Sequence, residues 1–100
     1  MPKTAFIILK TPQEQDPTHI VGRFAGKADA VAILLEDGVY QALRKQAADK
    51  LRTSFIEVLV SREDFEARGF TSSDLNVGKP AEYSDIIDWI MERTDRTVTI

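Results

Sequence analysis

The sequence predicts an α/β fold, a three-layer α/β/α sandwich around a mainly parallel sheet of four to five strands. Short apolar runs without period-two alternation follow Thr4, Asp29 and Ser54, a pattern typical of strands that are buried on both faces. Helix-period segments lie between these runs, and the short connections favour parallel pairing through right-handed crossovers. The chain has 100 residues, the size of one domain, so we treat residues 1–100 as a single domain.

The first strand is predicted over Thr4–Leu9, and a polar loop over Thr11–Gln15 follows it. Asp16 is typical of a helix N-cap and Pro17 of a first helical position, because proline has no N–H to leave unpaired there. The apolar spacing that follows predicts a short helix over 17–25, closed by a glycine.

A second buried strand is predicted over Asp29–Leu35, and it ends abruptly in Glu36-Asp37-Gly38. A helix is then expected to start near Val39. Its apolar residues recur at every fourth position, which predicts one buried face along a single helix. Those residues are Val39, Leu43, Ala47 and Leu51.

The third strand is predicted over Ser54–Val60, and Ser61 to Asp64 resembles a capping box that opens a short helix. Gly69 offers a left-handed stop for that helix just after Arg68. Residues 70–82 are rich in turn formers, with a weak fourth strand near Lys79–Glu82.

The last helix is expected to begin with Ser84 as its cap, and a β-branched tail over Thr97–Ile100 is a plausible last strand. An apolar stripe should bury this helix against the sheet. The stripe consists of Ile86, Ile87, Ile90 and Met91, with Trp89 beside it.

Composition excludes several functions. The chain has no cysteine, which excludes disulfides, zinc–thiolate sites, iron–sulfur clusters and a cysteine nucleophile. Its net charge of −3 argues against a protein whose main task is to bind nucleic acid phosphates. The longest uninterrupted apolar run, Ala30–Leu35, is far shorter than the roughly 20 residues of a membrane helix, and no signal peptide opens the chain. We therefore expect a cytoplasmic protein without a membrane partner.

The carboxyl ends of the predicted strands are where a parallel sheet binds its ligands, and Glu36 and Asp37 follow one of them. Two carboxylates there could bind Mg²⁺ or act as an acid/base pair. We favour a structural interpretation, in which Asp37 caps the next helix and Gly38 supplies an unusual backbone angle. Gly22 and Gly26-Lys27 lack the spacing and position of a phosphate-binding loop.

A modest basic cluster is predicted on the second helix, where it could meet an acidic partner or RNA. A solvated helix face is the more ordinary interpretation. The cluster consists of Arg44, Lys45, Lys50 and Arg52. No pairing of nucleophile and base is evident, so we expect no catalytic activity of the chain's own, no metal and no cofactor.

Three segments together resemble the DsrH/TusB family, the smallest branch of the DsrE/DsrF/DsrH-like proteins. They are residues 32–43 (AILLEDGVYQAL), 58–70 (VLVSREDFEARGF) and 83–88 (YSDIID). The strand end L-x-E-D-G-V and the E-D-x-x-A-R-G motif are fairly specific as a pair, and the likeness spans nearly the whole chain.

The resemblance implies a compact α/β/α subunit of a cytoplasmic sulfur-relay complex that includes DsrE-like and DsrF-like paralogues. Such complexes pass persulfide sulfur toward 2-thiouridine at the tRNA wobble position or serve dissimilatory sulfur metabolism. Some members of this branch carry a cysteine in the first-helix region, which here is residues 19–24 and has none. The implied role is therefore a non-catalytic subunit. Glu36, Asp37, Gly38 and Tyr40 are the candidates for a subunit or ligand contact.

Two other hypotheses stay open. The chain could be a homo-oligomeric binding module that kept the fold without relay activity. It could instead be a phosphotransfer receiver or metal-dependent enzyme that uses Glu36 and Asp37. A receiver needs acidic residues after its first strand and a lysine near its last strand, and neither is present.

Overall fold

A computed structural model describes residues 3–14 and 16–100, with the side chain of His19 left out. The start of the chain at Met1-Pro2 and the last residue of the predicted polar loop, Gln15, lie outside the described residues. Among the described residues, no helix is both long and apolar enough to cross a bilayer.

The centre of the fold is a parallel sheet of five strands in the order β4-β3-β2-β1-β5. All five residues of β2, at the middle of the sheet, are buried. This confirms the predicted α/β sandwich, including the weak fourth strand. The strands are β1 (Thr4–Ile8), β2 (Ala30–Leu34), β3 (Glu57–Ser61), β4 (Lys79–Ala81) and β5 (Arg96–Thr99).

The two helical layers are unequal. Apolar residues of the first four helices pack in one cluster with Phe6 and Ile8 of β1, whereas Ile86 of the fifth packs with Ala5 and Val31 on the opposite face. Right-handed crossovers explain the difference, since the connections from β1 to β4 all step one way across the sheet and only the connection to β5 steps back. The helices are α1 (Thr18–Val21), α2 (Tyr40–Leu43), α3 (Lys45–Ser54), α4 (Arg62–Ala67) and α5 (Tyr83–Asp88).

The single helix predicted from Val39 onward is wrong. A 3₁₀ turn over 36–39 leads into α2, and Arg44, in an extended conformation (φ −102°, ψ 124°), separates α2 from α3. The break leaves carbonyl groups at the end of α2 without intrahelical partners, and Asn76 donates hydrogen bonds to two of them. Its backbone N–H donates to Ala42 O at 2.8 Å and its side-chain amide donates to Leu43 O at 3.0 Å. A distant residue therefore supplies the hydrogen bonds that a continuous helix would have supplied to these carbonyl groups from its own next turn.

The start and stop signals of α4 are confirmed. The hydroxyl of Ser61 accepts a hydrogen bond from Asp64 N at 3.3 Å. At the other end Gly69 has a φ of 85°, and the N–H groups of Gly69 and Phe70 donate to Glu66 O and Phe65 O. This is a Schellman motif, which needs a residue that tolerates the left-handed conformation. The Asp64 carboxylate bonds elsewhere, so the predicted capping box is only half formed.

Two helix starts differ from the prediction. Helix α5 begins two residues earlier than expected, because Glu82 and not Ser84 is its cap; Glu82 and Asp85 form the capping box, and Ser84 lies inside the helix. Helix α1 is shorter than residues 17–25, and Pro17 stands at its cap position. The Asp16 carboxylate nevertheless accepts a hydrogen bond from Thr18 N at 3.0 Å, which is the capping interaction expected of it.

Candidate functional site

The sequence-predicted contact residues fall in and beside one turn, residues 36–39, at the carboxyl end of β2; we call it the strand-end turn. Gly38 holds this turn against β1. A Cβ atom on Gly38 would lie 1.9 Å from the carbonyl oxygen of Ile8, so only glycine allows the two backbones to approach this closely. The same oxygen accepts a hydrogen bond from Leu35 N at 3.1 Å.

The unusual backbone angle belongs to Glu36 and not to Gly38, so that part of the structural interpretation is wrong. Glu36 has a φ of 51°, and it is the one non-glycine residue with positive φ among those described. A side chain in this left-handed conformation costs roughly 1 kcal/mol or more and persists only where surrounding contacts fix it.

Asp64 supplies the contact that fixes Glu36. Its Oδ2 accepts a hydrogen bond from Glu36 N at 3.0 Å, and its Oδ1 accepts one from the Tyr83 hydroxyl at 2.9 Å. One carboxylate thereby ties the strand-end turn to α4 and α5.

This arrangement shifts two pKa values. Burial alone would raise the pKa of Asp64, but the hydrogen bonds from Glu36 N–H and the Tyr83 hydroxyl outweigh it, so the pKa of Asp64 is lowered. The hydrogen bond to the Asp64 carboxylate raises the pKa of Tyr83. The pair is thus held with Asp64 ionised and Tyr83 as the donor.

Asp37 does not cap the following helix, contrary to the structural interpretation. Its carboxylate accepts hydrogen bonds from Nε and Nη2 of Arg68 at 3.1 and 2.9 Å, and no side chain caps α2. A third nitrogen of Arg68, Nη1, donates to Asp64 O at 2.9 Å. Arg68, predicted only as the end of a helix, therefore also holds the outer edge of the strand-end turn.

The predicted contact residues differ in accessibility. The side chains of Glu36 and Asp37 are exposed, Gly38 is buried, and Tyr40 is half-buried with its ring edge-on to Phe70 at 5.9 Å. The turn thus presents the carboxylates of Glu36 and Asp37 to solvent, while Gly38 is packed against β1. Within the described part of the chain, no three His, Asp or Glu side chains are placed to hold a metal ion.

A cleft of about 530 Å³ lies between the loop after β1 and helices α2 and α3, and none of its lining residues belongs to the strand-end turn. Arg44, Lys45 and Lys50 of the predicted basic cluster line it, and Lys50 Nζ lies 3.0 Å from Asp16 Oδ2. Arg52 points away, toward Asp49 and the carbonyl of Asn76. The cluster is therefore split, with its cleft-facing part partly neutralised by Asp16.

A family model described as DsrH like protein matches residues 10–95 of this sequence. The chain belongs to the DsrH-like family. Among solved structures, it is similar to the solution NMR structure of protein Tm0979 from Thermotoga maritima, with 29% identity and a TM-score of 0.62. The alignment covers 86% of this chain and 90% of that one. No curated protein matches the sequence.

Family membership confirms the resemblance and makes this DsrH-like chain a protein of the general sulfur-relay type, a class that acts with partner subunits. A relay step needs a cysteine thiolate to attack the terminal sulfur of a persulfide, whose S–S bond breaks to release the donor thiolate. The sequence contains no cysteine, so this chain offers no atom that could accept or donate sulfur in that step.

Proposed function

We propose that this DsrH-like chain is a non-catalytic subunit of a cytoplasmic sulfur-relay complex, in which DsrE-like and DsrF-like paralogues carry the persulfide. The pathway served would be tRNA wobble 2-thiouridine formation or dissimilatory sulfur metabolism. The observation that carries the proposal is a DsrH-like fold without any cysteine.

The strand-end turn is the contact region that the geometry supports best. Gly38 packs this turn against β1, and Arg68 bonds to the Asp37 carboxylate. Little conformational entropy of the turn therefore remains to be lost when a partner binds. The exposed carboxylates of Glu36 and Asp37 offer charge-assisted hydrogen bonds to a partner's Lys, Arg or backbone N–H groups. Tyr40 lies at the edge of this surface and adds a half-buried aromatic ring.

The proposal is tested by mixing the purified chain with the cysteine-bearing DsrE-like subunit encoded in the same genome. Light scattering after size exclusion gives the stoichiometry, and calorimetry gives the affinity. We expect a defined hetero-oligomer, and we expect the Glu36→Gln/Asp37→Asn variant to bind more weakly. Glu66→Gln is the matched control for a lost carboxylate, since Glu66 is exposed on α4 and has no ion pair among the described residues.

Two results would contradict the proposal. One is the absence of any complex with the DsrE-like or the DsrF-like paralogue. The other is a stable homo-oligomer that excludes both paralogues, which would favour the stand-alone binding module. Equal binding by the Glu36/Asp37 variant and the wild type would leave the complex standing and remove the strand-end turn from its interface.

A further inference from the structure

Helix α5 has apolar residues on two sides. The inner side carries Ile86, which is 3% exposed and packs against the sheet. A π-helical turn over Trp89–Arg93 continues α5. The outer side of α5 and of this turn carries Tyr83, Ile87 and Met91, which are 41%, 59% and 72% exposed. These three residues are spaced four apart, close to one helical turn in both segments, and so lie on nearly the same side. We call them the outer α5 face.

This face is not explained by the packing of the chain itself. The sequence pattern predicted that Ile87 and Met91 would be buried, yet one helix layer covers the sheet here and nothing described packs over its outer side. Scattered exposed apolar residues are ordinary, but an aligned apolar stripe on a short surface helix is typical of an interaction site.

The residues around the outer α5 face are acidic. Four carboxylates and one guanidinium lie between residues 82 and 93. Arg93 Nε lies 3.3 Å from Asp88 Oδ2. Arg62 Nε lies 2.9 Å from Glu82 Oε1, as an ion contact outside hydrogen-bond geometry. Asp85 and Glu92 have no cationic partner among the described residues, so the surroundings of the apolar stripe remain negative.

The charge identifies the kind of occupant. Two copies of this chain facing each other through a two-fold axis would bring acidic rims together, and like charges across an interface cost several kcal/mol. Head-to-tail pairing with the chain's own basic α3 fails for another reason. No large apolar side chain of α3 is exposed, so that helix cannot cover Ile87 and Met91. Beside the exposed Ile56, the cations Arg52 and Lys79 are already paired with carboxylates.

We infer that the outer α5 face docks a different polypeptide, whose surface has an apolar centre and a rim of Lys and Arg. This inference rests on the proposed function, because the occupant is taken to be a subunit of the same relay complex. It adds a second contact surface, on the sheet face opposite α1–α4.

The experiment uses the full chain and the purified cysteine-bearing DsrE-like and DsrF-like paralogues as probes. Dissociation constants are measured for the wild type, for Ile87→Ser/Met91→Ser and for Ile56→Ser. The control residue, Ile56, is 51% exposed and lies just before β3, away from α5. We expect the double variant to weaken binding about tenfold or more and the control to leave it unchanged.

Charge is tested separately with Glu92→Lys, which should weaken binding, against Glu66→Lys as control. Hydrogen exchange on the wild-type complex gives an independent readout, with protection expected over residues 83–93. It does not depend on any variant folding.

The outcomes separate the two proposals. If a paralogue binds and neither the double variant nor hydrogen exchange implicates α5, the inference that the outer α5 face is a docking surface is wrong, and the proposed function stands. If no paralogue binds, both are overturned. If sedimentation of the chain alone reveals a dimer that the Ile87→Ser/Met91→Ser variant abolishes, the occupant is a second copy and the inferred partner is wrong.

Discussion

Replacing Gly38 with alanine is the sharpest test of how the strand-end turn is built. The added Cβ would lie 1.9 Å from Ile8 O, whereas real Cβ contacts essentially never fall below 3.0 Å. The turn and β1 must therefore separate by at least 1.1 Å, the difference between those two distances. The obstacle is backbone on both sides, so no side-chain rotation can relieve it.

The cost can be estimated from two effects. Overpacking of this kind costs about 1–3 kcal/mol, and losing the hydrogen bond from Leu35 N to Ile8 O costs about 1 kcal/mol more. We expect Gly38→Ala to lower the free energy of unfolding by about 2–4 kcal/mol, a large part of the roughly 5–15 kcal/mol typical of a domain. In urea denaturation followed by circular dichroism, the midpoint should fall by about 1–2 M.

Gly22→Ala is the matched control. Gly22 has a φ of −63°, and no atom lies within 4 Å of the position that a Cβ would take. Alanine there should therefore leave stability unchanged or raise it by up to about 1 kcal/mol. If Gly38→Ala is as stable as Gly22→Ala, the close approach of the turn to β1 is wrong.

Three further predictions concern the contacts around the turn. Glu36→Gly should leave urea stability unchanged or raise it by up to about 1 kcal/mol, because glycine accepts the positive φ without a Cβ penalty; a clear loss would refute the strain. The Asp64 pKa lies below its ordinary value of 3.8, so its stabilising contribution is present above that pH and is lost as pH falls through the lowered pKa. Asp64→Asn should therefore flatten the acid limb of a stability–pH profile, and an unaltered limb would contradict the hydrogen bonds to Glu36 and Tyr83. Asn76→Ala should lower the free energy of unfolding, measured by thermal denaturation, by about 1 kcal/mol, because the Leu43 carbonyl loses its partner. No change would show that water replaces the amide equally well.

The sheet was predictable because its strands carry local signals. β1, β2 and β3 are short apolar runs, and burial on both faces of a parallel sheet selects such runs. The short strand β4, Lys79–Ala81, lies within the weak strand predicted near Lys79–Glu82. Gly69 was likewise predictable, because a helix stop depends on the conformation of one residue.

Features that depend on distant residues escaped sequence analysis. The break at Arg44 is supported by Asn76, which lies 33 residues after Leu43, and no helical periodicity reports such a contact. Asp64 resembled half of a local capping box, whereas its carboxylate bonds to residues 28 and 19 positions away. The sequence predicts that Gly38 supplies an unusual backbone angle. The lack of space for a Cβ atom between Gly38 and Ile8 O depends on how β1 and the strand-end turn pack, which the local sequence does not indicate.

The outer α5 face was missed for a related reason. Four apolar residues in one helix predicted one buried stripe, but the sheet beneath has room for only part of it, so Ile86 is buried while Ile87 and Met91 are exposed. Periodicity indicates which apolar residues share one side of a helix. It does not predict which of two neighbouring stripes the chain itself covers.

The central claim, that this DsrH-like subunit assists sulfur transfer without carrying sulfur, is tested most directly by intact-mass spectrometry of the reconstituted complex after loading with a persulfide donor. The account predicts an added sulfur atom on the partner's cysteine-bearing subunit and an unchanged mass for this chain. A sulfur adduct on this chain, or release of sulfur by the purified chain alone, would contradict it.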